Sequence, residues 1–296
     1  MAKVSILMNG YNSEKYLKEA IDSVYAQTFD DWEIVFIDNC SIDSTKNIVD
    51  SYDNKIKYYK TETTIPLGAA RNFGLKYCDS EYLAFLDTDD IWLSTKLEKQ
   101  IQILENNKEC FICYGGVVYI DENSEEIGRF LPVDSKDNLF SIQLKNYEIN
   151  MQSVLLRTFD GIEFNETLKH SPDFDLFLDI ISKYKGCSIK DYLVKYRRLS
   201  NSLTSKNIAF WGSEMEYTLD KIFKEDPSLK TKYPKEYNLA YAKVAYNKAR
   251  YYISIGEKSK AINELSKYKF SDYRYFILYV VSLFPSAFWD MLHRYR

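Results

Sequence analysis

Over the first 120 residues, short apolar runs alternate with stretches whose apolar positions recur every three to four residues. The runs VSILM (4–8), EIVFI (33–37), KIKYYK (55–60), YLAFL (82–86) and FICYGGVVYI (111–120) read as strands. Between them, 13–27 carries Leu17, Ala20, Ile21 and Val24 along one helical stripe. Ser41 or Asp43 can cap a second helix bearing Ile48, Val49 and Tyr52. GAARNFGLKY (68–77) and STKLEKQIQILEN (94–106), the latter with Leu97, Ile101 and Leu104 in line, predict two more. Such alternation predicts an α/β domain whose mostly parallel sheet is covered by helices on both faces. Ligands of these sheets sit beyond the carboxyl ends of the strands, and three such ends here carry polar clusters.

From 121 to 205 the periodicity is mixed, and from about 208 the pattern is helical. NLAYAKVAYNKARYYISIGEKSKAINELSKY predicts two helices joined at Gly256, with alanines permitting close approach. The pair looks like one tetratricopeptide-type unit, but one unit makes no array. A C-terminal helical appendage is the simpler reading, so the expected domains are 1–205 and 206–296. The ending, YRYFILYVVSLFPSAFWDMLHRYR, is apolar and aromatic with Arg274, Arg294 and Arg296 at its margins. It is too short, and broken by Pro285, to span a bilayer. Lying in the membrane interface and packing as a buried helix remain equal alternatives.

Composition narrows the function classes. The 296 residues suffice for one large domain and a smaller one. A net charge of -4 argues against a general nucleic-acid binder. Cys40, Cys78, Cys110, Cys113 and Cys187 lack framework spacing, and no signal peptide opens the chain, so a reducing cytoplasm is expected. Cys110 and Cys113 form a C-x-x-C without a second pair, and His170 and His293 are the only histidines. A zinc site would lack ligands, and two buried strand cysteines are the plainer reading.

Chemistry concentrates in FLDTDDIWL, where Asp87, Asp89 and Asp90 crowd the end of an apolar run. Carboxylates so placed repel one another, and water, a basic partner, or a metal ion carrying an anionic substrate could offset that repulsion. A divalent ion held by such carboxylates could carry an anionic substrate and neutralise its charge. Asp87, Thr88 and Asp89 sit just past a strand, so their carboxylates can converge on one ion. An acidic surface turn is the competing reading.

The blocks taken in order carry a resemblance. VSILMNGYNSEKYLKEAIDSVYAQTFDDWEIVFIDNCSIDST, then GAARNFGLKYCDSEYLAFLDTDDIW, then DFDLFLDI and YRRLSNSLTS resemble family 2 glycosyltransferases over about residues 3 to 205. The resemblance implies a Rossmann-like GT-A fold, a nucleotide-sugar donor with UDP favoured, a divalent Mn2+ or Mg2+, and inversion at the anomeric carbon. It makes Asp89 the first choice for metal ligand, with Asp87 and Asp90 on the metal, its water or the ribose. It implies donor contacts from Tyr11 by stacking on the base, from Asp38 and Asn39 at the second strand end, and from Asn9, Thr88, Arg71 and Arg197. Asn9 stands where relatives often have proline, and Asn39 where they often have a second aspartate. Asp173 aligns with the family's catalytic base, with Pro172 in place of the usual glutamate and Asp175 as second choice. Leu199 replaces a frequent histidine. Each residue has a plainer role as well: a rim tyrosine for Tyr11, a turn cap for Asp38, a surface ion pair for Arg71, solvated arginines for Arg197 and Arg198, and a lone surface histidine for His170.

The acceptor implied is a growing glycan or lipid-linked oligosaccharide of a cell-surface polymer, with a peripheral membrane contact through the C-terminus. A nucleotidyltransferase is the weaker rival, since MNGYNSEKY lacks a glycine-rich phosphate loop. A non-catalytic scaffold acting through the helical tail is the other, against which the joint presence of Asp87, Asp89 and Asp173 argues.

Overall fold

The computed structural model describes residues 1–133, 138–199, 208–284 and 289. The chain divides into two compact units, Met1–Leu139 with Glu148–Ser202, and Phe140–Tyr147 with Leu203–Arg296.

The described strands of the first unit form one nine-stranded sheet. They are β1 (Val4–Gly10), β2 (Trp32–Asp38), β3 (Ile56–Lys60), β4 (Tyr82–Phe85), β5 (Ile91–Trp92), β6 (Cys110–Ile120), β7 (Glu126–Phe130), β8 (Leu155–Arg157) and β9 (Lys185–Arg197). Their order is β3-β2-β1-β4-β8-β6-β9-β5, with β7 paired to β6. The half β3-β2-β1-β4 is parallel throughout, as the alternation of strand and helix requires. Beyond β4 the sheet is mixed: β8 runs antiparallel to β4 and β6, β5 antiparallel to β9, and β9 parallel to β6. Antiparallel neighbours need no crossover helix, so the 121–205 region enters the sheet without the helix-period signal that marks the first 120 residues.

Helices α1 (Leu17–Tyr25) and α4 (Lys96–Asn106) pack Leu17, Ala20, Ile21, Val24, Leu97, Ile101 and Leu104 against Val4, Ile6 and Met8 of β1 and Ile34 and Phe36 of β2. Each such side chain contributes about 1.5–3 kcal/mol by leaving water. Helix α2 is a single short turn, Thr45–Val49, whose first N–H is taken by Asp43. Helix α3 (Leu67–Leu75) lies over β1 and β2, where a Cβ on Gly74 would stand 2.4 Å from Leu7 Cδ1 and 2.7 Å from Ile37 Cγ1. Only glycine permits that approach, and Arg71 is carried one turn earlier on the same helix. Helix α5 (Leu139–Lys145) precedes β8, and α6 (Pro172–Lys183) follows it. Cys113 pairs in register with Cys187, and both are buried free thiols, as the plainer reading of the C-x-x-C expects.

The main part of the second unit is helical: α7 (Ile208–Glu225), α8 (Ser228–Lys232), α9 (Pro234–Ser254), α10 (Lys258–Tyr268) and α11 (Tyr273–Leu283). Gly212 lets α7 approach α9 until a Cβ would meet Lys248 N at 2.8 Å. Helices α9 and α10 join at Gly256, whose φ of +79° closes a Schellman cap: Glu257 N–H donates to Tyr252 O and Gly256 N–H to Ile253 O. Ala249, Ala261, Leu265, Leu278 and Trp289 form its core. On α11, Tyr273, Phe276, Ile277 and Leu283 are exposed. Among the described residues, no helix is long and apolar enough to cross a membrane.

Candidate active site

The carboxyl ends of β1, β2 and β4 lie side by side. Gly10 is level with Asp38, Asn39 N–H donates to Gly10 O at 2.8 Å, and Leu86 N–H donates to Leu7 O at 3.1 Å. The acidic loop Asp87–Asp90 therefore leaves β4 next to the end of β1.

Within that loop the three carboxylates have unlike surroundings. Asp87 Oδ1 accepts from Arg71 Nη2 at 3.2 Å, and its Oδ2 accepts from Gln152 Nε2 at 2.6 Å. Its own N–H donates to Gln152 Oε1 at 2.7 Å. Asp90 is buried: Oδ1 accepts the backbone N–H of Arg197 at 2.7 Å, while Oδ2 has no partner. Burial, then Asp89 and Asp87, push the Asp90 carboxyl well above the usual carboxylate range. Asp89 is half-buried, and among the described residues no side chain donates to it. Burial and then the charge of Asp87 push it up to about 6. Thr88 Oγ1 donates to Ser13 Oγ at 2.9 Å, tying the loop to the segment after β1. Arg71 thus pairs directly with Asp87, while the charge of Arg197 eases the repulsion at Asp89 and Asp90 without bonding either carboxylate through its guanidinium.

The other expected residues fall into two groups. Arg71 is buried beside Asp87 with its guanidinium 5.3 Å from the Phe164 ring. Asp173 lies in the first turn of α6, where Pro172 fits the initial helical positions that need no N–H. Burial raises Asp173, Arg71 opposes that rise and Asp87 adds to it, so the three share one electrostatic neighbourhood. Asn9 points a buried Nδ2 with no acceptor, and the Tyr11 ring is 54% exposed. Asp175 is buried one turn into α6 and its N–H donates to Ser171 O.

Four expectations are corrected. Asp38 is fully buried, with Oδ1 accepting Ser41 N–H and Oδ2 accepting the Tyr58 hydroxyl, so it anchors the turn after β2. Asn39 Oδ1 already accepts Ile65 N–H at 2.9 Å and Thr61 Oγ1 at 3.2 Å, and its Nδ2 donates to Ile65 O. Both lone pairs that a base would use are therefore engaged. Asp90 is buried and spends one oxygen on the Arg197 backbone, so the structure does not present it to a ligand beside Asp89. Arg197 is neither solvated nor turned to a ligand: its guanidinium is buried and donates to Asp89 O, Asp121 O, Ser124 Oγ and Glu19 Oε2. It lies at the end of β9, and those acceptors supply the only polar company a buried cation tolerates. Arg198 is the solvated one of the pair, stacked 3.9 Å from the Tyr119 ring. Of the YRRLSNSLTS block, 200–205 lies outside the described residues.

Two site residues escaped sequence reasoning. Gln152 sits in a short polar interruption of an apolar stretch, with no period to mark it. Tyr196 has its hydroxyl pushed up by burial and by Asp90, Asp87, Asp89 and Asp173, so it faces all four acids; only its place before Arg197 could have flagged it.

A resident metal needs more than this chain offers alone. Among the described residues, no three His, Cys, Asp or Glu side chains are grouped to hold an ion. A magnesium-type site, however, is commonly made of one or two carboxylates completed by substrate phosphates. The Asp89 carboxylate, to which no side chain donates among the described residues, fits an ion that arrives with a diphosphate.

Comparison with known proteins identifies the family and the fold. The family model described as glycosyl transferase family 2 matches residues 5–172. The chain belongs to glycosyl transferase family 2. It is 34% identical over 206 residues to the Escherichia coli UDP-Glc:alpha-D-GlcNAc-diphosphoundecaprenol beta-1,3-glucosyltransferase WfgD, covering 69% of this chain and 80% of that one. It is 33% identical over 203 residues to an uncharacterized glycosyltransferase of Methanocaldococcus jannaschii, covering 66% and 70%. Among solved structures, S. aureus TarS 1–349 in complex with UDP-GlcNAc shares the fold at a TM-score of 0.63 and 21% identity, over 91% of this chain and 81% of that one. The mannosyltransferase PcManGT of Pyrobaculum calidifontis, in complex with GDP-Man and Mn2+, gives 0.59 at 13% identity over 90% and 74%. The chain spans 49% of the longer TarS chain it matches. This family 2 glycosyltransferase has a GT-A fold with a helical C-terminal region.

Proposed function

We propose that this glycosyltransferase is an inverting, metal-dependent enzyme that moves a sugar from a nucleoside diphosphate, UDP in first place, to a hydroxyl of a glycan or lipid-linked acceptor of surface polysaccharide. The observation that carries the reading is the division of the acidic loop: Asp87 is committed to Arg71 and Gln152, Asp90 to the backbone, and Asp89 is left open. Asp89 would hold a Mn2+ or Mg2+ ion, which as a Lewis acid neutralises the departing diphosphate. Arg71 and Asp87 line the diphosphate side, the Asn9 amide offers an unspent donor, and the Tyr11 ring offers an exposed face to the base.

Asp173 is the base. As the acceptor oxygen bonds the anomeric carbon and the bond to the diphosphate breaks, Asp173 takes the hydroxyl proton. Its raised pKa suits it to that task better than an ordinary aspartate. WfgD, whose name gives a diphosphoundecaprenol-linked sugar as acceptor, supports the lipid-linked choice. The exposed aromatic stripe of α11 supports a peripheral contact with the membrane where such an acceptor resides.

Incubation with a panel of UDP- and GDP-sugars and Mn2+ tests the proposal. Release of the nucleoside diphosphate, abolished in Asp89→Ala, is expected. A folded protein that turns over no donor refutes it.

A further inference from the structure

The grip on Asp87 comes from a residue that no motif marks, and the way that residue is itself held is unusual for a core. Gln152 is 2% exposed and belongs to the 3-10 turn Met151–Ser153. Its amide meets Asp87 twice, accepting the Asp87 N–H and donating to Asp87 Oδ2. Three donors from the segment leading into and along α4 then fix the turn. Trp92 Nε1 donates to Gln152 O at 3.0 Å, Gln100 Nε2 to Ser153 O at 2.8 Å, and Lys96 Nζ to Val154 O at 3.1 Å. Asn150 Oδ1 accepts the Gln152 N–H at 3.0 Å. Lys96 and Gln100, four residues apart on α4, and Trp92 of β5, whose ring lies 3.9 Å from Lys96 Nζ, are each at most 2% exposed and form one buried polar stripe.

Leucines on that stripe would bury more apolar area and desolvate no charge. What the polar stripe supplies is direction, because hydrogen bonds fix the orientation of the groups they join and apolar contacts do not. Successive carbonyls at 152, 153 and 154 each receive one donor, which leaves the Gln152 side chain a single setting against the loop.

We propose that Gln152 is a positioning residue of the donor site. It commits one oxygen of Asp87 to the protein and turns the other to Arg71, so that Asp89 is the carboxylate left for the incoming ion and diphosphate. The chemistry demands an amide here: a glutamate would set two carboxylates face to face. This inference rests on the reading that the Asp87–Asp90 loop receives a nucleoside diphosphate with its divalent ion.

The test measures binding without turnover, by calorimetry and by Mn2+ electron paramagnetic resonance, with UDP or GDP and Mn2+ as probes. Gln152→Met keeps the volume and removes both hydrogen bonds, and Gln152→Glu keeps the acceptor and loses the donor. Each is expected to weaken binding about ten- to a hundredfold, the weight of a hydrogen bond to a charged group. In an Asp87→Ala background, Gln152→Met is expected to change nothing further, since its effect runs through Asp87. Unchanged binding in Gln152→Met, or the same added loss in both backgrounds, overturns the inference. Should Gln152→Met fail to fold, Gln152→Glu carries the same comparison. A wild-type protein that binds neither probe overturns the functional reading instead, a result distinct from tight binding that the Gln152 variants retain.

Discussion

Replacing Lys96 by methionine should remove one pH-dependent contribution to stability, so that the order of variant and wild type reverses with pH. The Lys96 side chain is fully buried, with one hydrogen bond to Val154 O and the Trp92 ring 3.9 Å from its Nζ. Burial pulls its pKa down from an ordinary 10.5 to about 7. Below about pH 7 the amine is charged in folded and unfolded chains alike, and folding bears the whole desolvation cost. Between about 7 and 10.5 the folded chain holds the neutral amine while the unfolded chain still binds the proton, so stability rises with pH. Above that window the slope vanishes. The gap of about 3.5, at about 1.36 kcal/mol per pH unit, sets a ceiling of about 4–5 kcal/mol. Lys96→Met removes that cost and strands one buried carbonyl, which costs about 1–3 kcal/mol. The variant should therefore be the more stable protein by about 2–3 kcal/mol at slightly acid pH, and the less stable one above about pH 10. Urea unfolding of both proteins across that range reads the difference, in which every other titrating group cancels. A constant offset between the two curves would refute the reasoning, because no proton would then be released at Lys96 on folding.

Asp173→Asn should lower kcat by about a hundredfold or more while leaving donor KM near the wild-type value, since a general base contributes about that much; an equal rise in KM would move Asp173 from base to binding residue. Arg197→Leu strands the carbonyls of Asp89 and Asp121, at about 3 kcal/mol in all, while the exposed Glu19 carboxylate returns to water. A drop in Tm of at least about 6 °C is expected, and an unshifted melt would deny that Arg197 braces the loop. Wild-type protein should float with vesicles containing anionic lipid, and Phe276→Glu with Ile277→Glu should stay in the soluble fraction; equal partitioning of the two would remove α11 from any membrane contact.

The parallel half of the sheet was legible because its strands are buried on both faces and its helices carry one apolar stripe each. Ile6, Ile34 and Ala84, like Leu97 and Leu104, announce their elements by period alone. The Gly256 joint was equally plain, since a glycine between two helical patterns predicts a left-handed cap. The antiparallel strands β5, β7 and β8 were not, being two to five residues long and so too short to show a period. At the site, the crowding of charge at a strand end marked the acidic loop, while Arg71 and Asp173 were marked by the family resemblance. The sequence could not sort Asp87, Asp89 and Asp90 from one another, since their neighbours Arg71, Gln152 and Arg197 come from distant segments. Arg197 shows the same limit from the other side: adjacent arginines look alike in a sequence, yet one closes the loop from within and the other lies in solvent.

That sorting of like residues by unlike neighbours is what an anion-and-cation site needs. Three free carboxylates would bind an ion at any of several places, and three neutralised ones would bind none. Arg71 and Gln152 occupy Asp87, and the Arg197 backbone takes one oxygen of Asp90, whose carboxyl burial drives toward the neutral form. On the proposed reading, the half-buried Asp89, whose carboxylate receives no side-chain donor among the described residues, is where an ion accompanied by a diphosphate would complete its coordination. The supporting donors are drawn from α3, the segment around β5 and α4, the 151–153 turn and β9. A loop held from so many directions cannot slide to follow a misplaced ligand, so the rigid elements behind it, and not the acidic sequence alone, decide where the ion sits.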